Sequence, residues 1–308
     1  MAVPWTGAVR FLLETDSVPG PAIDITRFRV RPGRRLSLDT FDPANTDPWD
    51  TRPLSAKLLR HAARRLYRLT ELLYAQDRWS VLFVFQAMDG AGKDSAIKHV
   101  MRGLDPKSTQ VFGFKSPSQE ELRHDFLWRC LKSLPERGRI GIFNRSYSED
   151  VLVARVRPDI LSARRLPRVC VSQDLWKQRF EDIRCMERYL GRNGTVICKI
   201  FLNVSKSEQR RRFVARLSDP AKRWKLSPGD VNERRKWQEY MAAYEQAIQQ
   251  TTSQSAPWYV VPADNKWFTH LAVAQIAIET LEQLKLTVPE MSRRELRLLR
   301  DARRRLRA

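Results

Sequence analysis

Long apolar segments are missing from this sequence of 308 residues. No stretch approaches the roughly 20 consecutive apolar residues that a membrane-spanning helix requires. Residues 1–10 also lack the charged region, apolar core and small-residue cleavage site of a secretory signal. We therefore expect a protein that is neither exported nor embedded in a membrane.

Cysteine is scarce, and its few positions follow no pattern. None of the four cysteines is spaced as C-x-x-C, so we expect neither a disulfide nor a metal role for them. They are Cys130, Cys170, Cys185 and Cys198. We interpret them as reduced, mostly buried thiols, which favours a cytoplasmic location.

Acidic residues are too few to balance the basic ones. The sequence has 56 Lys and Arg against 35 Asp and Glu, which gives a formal net charge of +21. Such an excess of positive charge favours polyanionic partners. Nucleic acid and any dense phosphate chain satisfy the same electrostatics, so composition alone leaves the partner open.

Proline is frequent near the N-terminus, where helical periodicity is weak. We predict that residues 1–50 form an irregular arm wrapped on the body, with a short strand around residues 28–30. Internal repeats and long low-complexity linkers are absent, so one main domain is expected over residues 51–290. Residues 291–308 are predicted to form a basic helix, which is solvated, contacts a second subunit or captures a polyanion.

Short apolar runs alternate with helical patterns along the main domain. The runs are typical of strands buried on both faces of a parallel sheet, and they cover residues 81–85, 111–114, 140–143, 196–202 and 259–261. Apolar spacings of three and four predict helices over residues 55–75, 120–134, 174–190, 207–217, 230–249 and 268–284. This alternation predicts an α/β fold with a parallel central sheet covered by helices on both faces.

A glycine-containing loop connects the first apolar run to a helical segment that continues through Val100. A strand, a loop with Gly-Lys and then a helix is the context in which a phosphate-binding loop is expected. Gly90 and Gly92 allow backbone N–H groups to curl around phosphate oxygens, and Lys93 adds a full positive charge. The predicted phosphate-binding residues of the loop are Gly90, Ala91, Gly92, Lys93, Asp94 and Ser95.

The loop departs from the pattern G-x-x-x-x-G-K-[ST] in two places. Ala87 replaces the first glycine, and Asp94 replaces the hydroxyl that binds Mg²⁺, with Ser95 one place late. If Mg²⁺ is needed, Asp89 inside the loop is the nearest carboxylate that could replace that hydroxyl. The alternative is a tight turn, capped by Asp94, that binds no ligand.

A second polar segment follows the run at residues 140–143 and contains Asn144, Arg145, Glu149 and Asp150. Arg145 is placed to neutralise phosphate charge, while Glu149 or Asp150 could ligate Mg²⁺ directly or through water. The alternative is that these charged residues only pair with one another and cap a strand-to-helix corner.

A basic segment with one tryptophan follows the helix predicted over residues 207–217. Pro220 breaks that helix, and we predict a mobile lid over about residues 207–230 that closes over a polyanion. The predicted phosphate-binding cations of the lid are Arg216, Lys222, Arg223 and Lys225. The alternative is a solvated helix end with Trp224 as a hydrophobic anchor.

Two other classes of protein are compatible with these features. An ATP-dependent nucleotide kinase shares the fold and the loop, although it would not need so basic a surface. A non-enzymatic nucleic-acid-binding protein is favoured by charge alone, but the sequence lacks helix-turn-helix, zinc and aromatic RNA-binding signatures. We therefore expect a phosphoryl-transferring enzyme without a specific nucleic acid partner.

Several longer motifs resemble the family-2 polyphosphate kinases, in the same order, over about residues 27–288. They lie at residues 86–94, 124–129, 143–150, 222–225, 240–245 and 256–264. Asn144 together with Glu149 and Asp150 resembles the class III subgroup. One departure is Ser148, which stands where the family usually has an aromatic residue.

The resemblance implies a thymidylate-kinase-like, three-layer α/β/α P-loop kinase fold with a helical lid. It also implies Mg²⁺-dependent, reversible phosphoryl transfer from inorganic polyphosphate to ADP, AMP or both, so that ATP could be made from AMP in two steps. Mn²⁺ is a substitute metal, and the expected metal ligands are Asp89 and Asp150. The expected catalytic residues are Asp89, Lys93, Arg145, Glu149 and Asp150, and the expected nucleotide-binding residues are Asp89, Asn144, Arg145 and Glu149. We also expect a homo-oligomer, either a dimer or a tetramer.

Overall fold

The computed structural model of the chain describes residues 23–49 and 55–306. Residues 1–22 of the predicted arm lie outside the described residues, and so does the expectation that residues 1–10 hold no secretory signal. The start of the predicted domain, residues 50–54, and the end of the basic tail, residues 307–308, are also outside them.

A sheet of five parallel strands forms the centre of the fold. The strands are β1 (Ser80–Gln86), β2 (Thr109–Gly113), β3 (Ile140–Asn144), β4 (Thr195–Asn203) and β5 (Trp258–Pro262). Their order across the sheet is β2-β3-β1-β4-β5. All five apolar runs of the sequence are therefore strands, because β-branched and aromatic side chains pack well on a buried pleated surface.

Helices cover the two faces of this sheet. They are α1 (Ser55–Gln76), α2 (Lys93–Met101), α3 (Trp128–Leu131), α4 (Glu149–Val156), α5 (Pro158–Ala163), α6 (Leu175–Arg192), α7 (Lys206–Ser218), α8 (Pro228–Glu233), α9 (Trp237–Thr251), α10 (Lys266–Glu282) and α11 (Arg293–Arg305). One layer is made where α10 packs against α1 and α2, and the other where α9 packs against α4 and α6. The predicted three-layer α/β/α fold is confirmed.

Two predicted helices differ from the structure. The helix predicted over residues 120–134 is wrong, because Asp125 interrupts it. The Asp125 carboxylate accepts the backbone N–H groups of Leu127 and Trp128 at 2.9 and 3.2 Å, and only the short α3 follows. Side chains of this type compete with the helical backbone and favour turns and caps. The second helix, predicted over residues 230–249, is divided into α8, a 3₁₀ turn and α9.

The described part of the arm, residues 23–49, packs on the body through apolar side chains such as Phe28 and Val30. The strand predicted there is reduced to one antiparallel bridge between Arg29 and Tyr259 of β5. Because β5 is an edge strand, this bridge covers hydrogen-bonding groups that would otherwise be open to another chain.

A buried charged network fixes the segment that follows β3. Lys199 on β4 donates to Glu187 of α6 at 2.5 and 2.7 Å, and the Tyr147 hydroxyl donates to the same carboxylate at 2.7 Å. Burial lowers the pKa of Lys199, and the Glu187 carboxylate opposes that shift. Because all three side chains are buried and bonded to one another, Tyr147 anchors the second polar segment to the sheet.

The cysteine prediction is correct for bonding and half correct for burial. All four thiols are free, as expected, but Cys170 and Cys185 are exposed while Cys130 and Cys198 are buried. Within residues 23–49 and 55–306, no helix combines the length and the apolar character needed to cross a bilayer.

Candidate active site

The phosphate loop and the second polar segment lie side by side, because their strands are neighbours in the sheet. Phe85 near the end of β1 pairs in register with Asn144 at the end of β3. The carboxyl ends of parallel strands meet at one edge of a sheet, which is where open α/β folds bind ligands. The structure thus brings together the two segments that the sequence singled out.

The phosphate loop, residues 87–93, has the curled backbone that its glycines predict. Gly90 has a φ of +83° and Gly92 a φ of +105°, both in the left-handed region that glycine tolerates. Gly92 is the N-cap of α2, so the loop ends on the partial positive charge of a helix N-terminus. A Cβ atom at Gly90 would lie 2.8 Å from the Phe213 ring of α7, so the loop has no room for a side chain there.

The side chain of Lys93 turns back over the loop that precedes it. Its Nζ donates to the carbonyl oxygen of Ala87 at 2.8 Å. Burial lowers the pKa of the Lys93 ammonium, and the neighbouring carboxylate of Asp89 opposes that shift. A partly desolvated cation attracts phosphate strongly because little water screens it.

Arg145 joins the second polar segment to the phosphate loop. Its guanidinium donates to Asp89 at 3.0 Å and lies 3.5 Å from the Glu149 carboxylate. The backbone of Arg145 has a φ of +66°, a left-handed conformation that costs a non-glycine residue on the order of 1 kcal/mol. The backbone N–H of Arg145 continues the ladder between β1 and β3 by donating to the carbonyl oxygen of Phe85 at 3.0 Å, and its side chain reaches Asp89 of the loop. The prediction of a phosphate-neutralising cation at this corner fits that placement.

The two carboxylates at the start of α4 face different environments. Asp150 is buried, and Arg164 donates to both of its carboxylate oxygens at 2.9 and 2.6 Å. Glu149 instead faces Arg145 and Lys93, and burial raises the pKa of Glu149 while those two cations oppose the shift. The internal ion pair occupies both oxygens of Asp150, so this environment does not fit the predicted role of Asp150 as a metal ligand.

Asp94 belongs to the candidate site, whereas the side chain of Ser95 contacts the interior. Asp94 lies in the first turn of α2 and accepts a hydrogen bond from the Asn144 amide at 2.7 Å, which links β3 to the phosphate loop. The Ser95 hydroxyl lies 3.0 Å from Nε2 of His270, which belongs to α10. Burial lowers the pKa of His270 to about 3, so this imidazole is neutral. The prediction that Ser95 binds phosphate does not fit this contact.

The carboxylates of the site suit a cation that is shared with substrate. In the part of the chain that the structure describes, no three His, Cys, Asp or Glu side chains are grouped as a metal site. Mg²⁺ in phosphoryl-transfer enzymes is usually bound by one or two carboxylates, with phosphate oxygens and water completing the shell. Asp89 and Glu149, which both contact Arg145, provide a donor set of that kind.

Helix α7 holds the phosphate loop from behind, and the sequence had not shown this. The guanidinium of Arg212 donates to the carbonyl oxygens of Gly90 and Ala91 at 3.0 and 2.6 Å. It also donates to the carbonyl oxygens of Ala263 and Asp264, just after β5, at 2.6 and 2.9 Å. Arg212 therefore connects the loop, the lid helix and the end of β5. Its signal in the sequence is weak, because it is one of three consecutive arginines.

We expect Arg212→Gln to lower kcat roughly 10-fold, because small displacements of positioning groups cost rate steeply. Turnover should be measured well below the unfolding temperature, so that lost stability does not imitate lost catalysis. The matched control is Arg210→Gln, since Arg210 is an exposed arginine of the same helix. Equal activity of the two variants would remove Arg212 from the positioning of the loop.

The predicted lid cations contact their own segment. The Arg216 guanidinium donates to the carbonyl of Lys225 at 3.3 Å, Arg223 donates to the carbonyl of Leu217 at 2.8 Å, and Lys222 pairs with Asp219. Trp224 is 78% exposed, so it does not anchor the segment in the core. Arg216 lies in the last turn of α7 and the other three cations follow that helix, and among the described residues no bond joins any of them to the phosphate loop.

A cationic cavity of about 970 Å³ opens among the helices, and the phosphate loop, residues 87–93, is not part of its lining. Its basic lining residues are Arg60, Arg64, Arg102, Arg211, Lys266 and His99. Two acidic residues, Glu208 and Asp264, also line it, and Arg212 links the carbonyl of Asp264 to that of Gly90 in the loop. The cavity combines α1, α2, α7 and α10, so its cations are far apart in the sequence.

A glycine loop with a desolvated lysine, at the carboxyl edge of a parallel sheet, defines a phosphoryl-transferring enzyme of the P-loop kinase class. The sequence model described as polyphosphate kinase 2 (PPK2) matches residues 52–289. This chain therefore belongs to the polyphosphate kinase 2 family.

Individual relatives cover nearly the whole chain. An ADP-polyphosphate phosphotransferase of Rhodopseudomonas palustris is 47% identical over 91% of this chain and 98% of its own length. An AMP/ADP-polyphosphate phosphotransferase of Meiothermus ruber is 43% identical over 86% of this chain and 95% of its own. The crystal structure of polyphosphate kinase 2 from Arthrobacter aurescens TC1 matches with a TM-score of 0.80 and 38% identity, covering 89% of this chain and 94% of that one.

Proposed function

We propose that this chain transfers phosphoryl groups reversibly between inorganic polyphosphate and the nucleotides ADP and AMP. One observation carries the proposal. A desolvated lysine, an arginine and two carboxylates lie together at the carboxyl edge of the sheet, and Arg212 connects the phosphate loop to Asp264 in the lining of a cationic cavity. The relatives from R. palustris and M. ruber, an ADP-polyphosphate and an AMP/ADP-polyphosphate phosphotransferase, support ADP and AMP as acceptors.

The chain's own residues bind two polyanions and hold the charge between them. Polyphosphate occupies the cationic cavity, with its terminal phosphate held by Lys93 and the loop N–H groups. The acceptor nucleotide places its phosphate against Asn144 and Arg145. An oxygen of that phosphate then attacks the terminal phosphorus in line, the bond from phosphorus to the bridging oxygen breaks, and the shortened chain leaves with that oxygen.

Repulsion between the two polyanions is the main barrier that the site must offset. Fixed cations aimed at the transferring group stabilise the transition state without reorganising at the moment of reaction. The lid cations, Arg216, Lys222, Arg223 and Lys225, add to this when the segment closes over the chain and excludes water.

Asp89 and Glu149 would hold Mg²⁺, or Mn²⁺ in its place, together with phosphate oxygens. When bound, the metal neutralises charge on both polyanions and fixes their relative orientation. Arg145 contacts both carboxylates and so keeps them oriented before substrate arrives.

An assay of donors and acceptors tests the proposed function. We expect ATP to form from ADP, and ADP from AMP, when long-chain polyphosphate is the donor. With ATP as donor and AMP as acceptor, turnover should be much slower. Faster turnover with ATP would favour an ATP-dependent nucleotide kinase, and no turnover with either donor would favour a binding protein.

Two further expectations belong to this proposal. The free thiols support a cytoplasmic location, and the resemblance supports a homo-oligomer of two or four subunits. Light scattering measures the subunit number directly, and a monomer would contradict the second expectation.

A further inference from the structure

We infer that helix α11 is a docking surface for polyphosphate, which holds the part of the chain that extends beyond the active site. This inference rests on the proposed function. The helix lies after residue 289, where the match to the family ends. It therefore lies outside the segment that the family model matches.

The helix has the charge that such a partner requires. Every residue over 293–306 is exposed. Four arginines follow one another at spacings of four, three and four, which places them on one face of the helix. They are Arg293, Arg297, Arg300 and Arg304. This arginine stripe extends over about 16 Å of helix, and arginine pairs with phosphate oxygens in a bidentate manner.

The acidic side chains of the helix do not neutralise the stripe. Glu295 accepts the backbone N–H of Ser292 in the capping box at the start of the helix. Asp301 lies 3.3 Å from Arg304 in an exposed pair, and such pairs are worth little. The other three arginines of the stripe have no carboxylate partner among the described residues.

The segment that precedes helix α11 is attached to α1, and α1 also lines the cavity. The Gln76 amide at the end of α1 donates to the hydroxyl of Thr287 at 3.4 Å, just before the helix begins. Arg64, which lies closer to the start of α1 than Gln76 does, lines the cationic cavity. About 18 Å of helix separates these two positions on α1. A long polyphosphate that leaves the cavity therefore reaches the arginine stripe of α11. A short polyphosphate does not span the distance between the cavity and that stripe.

A membrane surface fits this helix less well. Leu296, Leu299 and Leu306 lie on one side, but Arg303 falls among them on the same side. Helices that lie in a membrane interface usually present an uninterrupted apolar face with aromatic residues. Charge complementarity to a flexible polyanion is the better match.

The test is a variant with Arg293, Arg297, Arg300 and Arg304 each changed to Gln. We expect the KM for long-chain polyphosphate to rise about 10-fold, with kcat and the KM for tripolyphosphate unchanged. The slope of log KM against log salt should fall by about 3, since each lost phosphate contact removes roughly 0.7 to 0.9. Circular dichroism checks that helix content is retained. The charge-matched control changes four other exposed residues to Gln, which are Lys107, Lys177, Arg188 and Arg192.

Four results would overturn the inference. They are an unchanged KM for long chains, an equal rise in the control, a change in subunit number in the variant, and lost binding to phosphatidylserine vesicles with the KM retained. If the wild-type chain used no polyphosphate of any length, the proposed function itself would fail. Normal turnover of tripolyphosphate by both proteins separates these two failures.

Discussion

Lys93→Ala reduces kcat by about 100- to 1,000-fold, the cost of losing one preorganised electrostatic stabiliser. The Lys93 ammonium is desolvated and lies over the phosphate loop, so it acts on the transferring group with little screening by water. The KM for ADP should change much less than kcat, because this charge acts mainly on the phosphate that is being transferred. Initial rates with saturating polyphosphate and ADP measure the effect.

The matched control for this variant lies on the same helix. Lys98→Ala removes an exposed lysine of α2 and should leave kcat within about twofold, since an exposed charge is screened by solvent. Similar losses in both variants would mean that overall charge, and not the position of Lys93, determines the rate. Near-normal turnover of Lys93→Ala would remove the residue from the mechanism.

Neighbouring carboxylates at the start of α4 should behave in opposite ways. Glu149→Gln is expected to lower kcat by about 100-fold and to raise the Mg²⁺ concentration needed for half-maximal rate, with little change in the free energy of unfolding. Asp150→Asn is expected to lower that free energy by about 3–5 kcal/mol, because it leaves the Arg164 guanidinium buried without its counter-charge.

Urea unfolding and a Mg²⁺ titration of the rate, applied to both variants, distinguish these effects. The double variant Asp150→Leu/Arg164→Met removes both members of this pair and should recover only part of the lost stability, because the buried Arg179 then lacks its carboxylate neighbour. A normal Mg²⁺ requirement in Glu149→Gln would rule out this carboxylate as a metal ligand. A stable Asp150→Asn protein with a raised Mg²⁺ requirement would restore Asp150 to the site.

The sequence alone predicted those elements whose signal lies in residues that are adjacent in the chain. Four of the five strands are predicted as short apolar runs because a strand buried on both faces needs apolar side chains at nearly every position. The edge strand β2 was also predicted, although it is largely exposed. The phosphate loop could also be predicted from the sequence, because only glycine tolerates the positive φ at residues 90 and 92 without strain. Helix α3 was overestimated because the turn at Asp125 competes with a helical pattern that continues on both sides of it.

The roles of individual side chains at the site could not be predicted from the sequence, because those roles depend on tertiary contacts. Glu149 and Asp150 are adjacent acids, and nothing in their order says that one faces Lys93 while the other is buried against Arg164. The sequence predicted that Ser95 binds phosphate, whereas in the structure its hydroxyl contacts His270.

By itself, the amino-acid order determined a parallel α/β fold with a phosphate loop at one edge of the sheet and an excess of positive charge around it. Only the tertiary structure decided which charged side chains serve the site. The reason is physical: the environment of a charged group is set by neighbours from other elements, such as Arg212 of α7 behind the loop and Arg64 of α1 beside the cavity. Those neighbours are distant in the chain, and only packing brings them together.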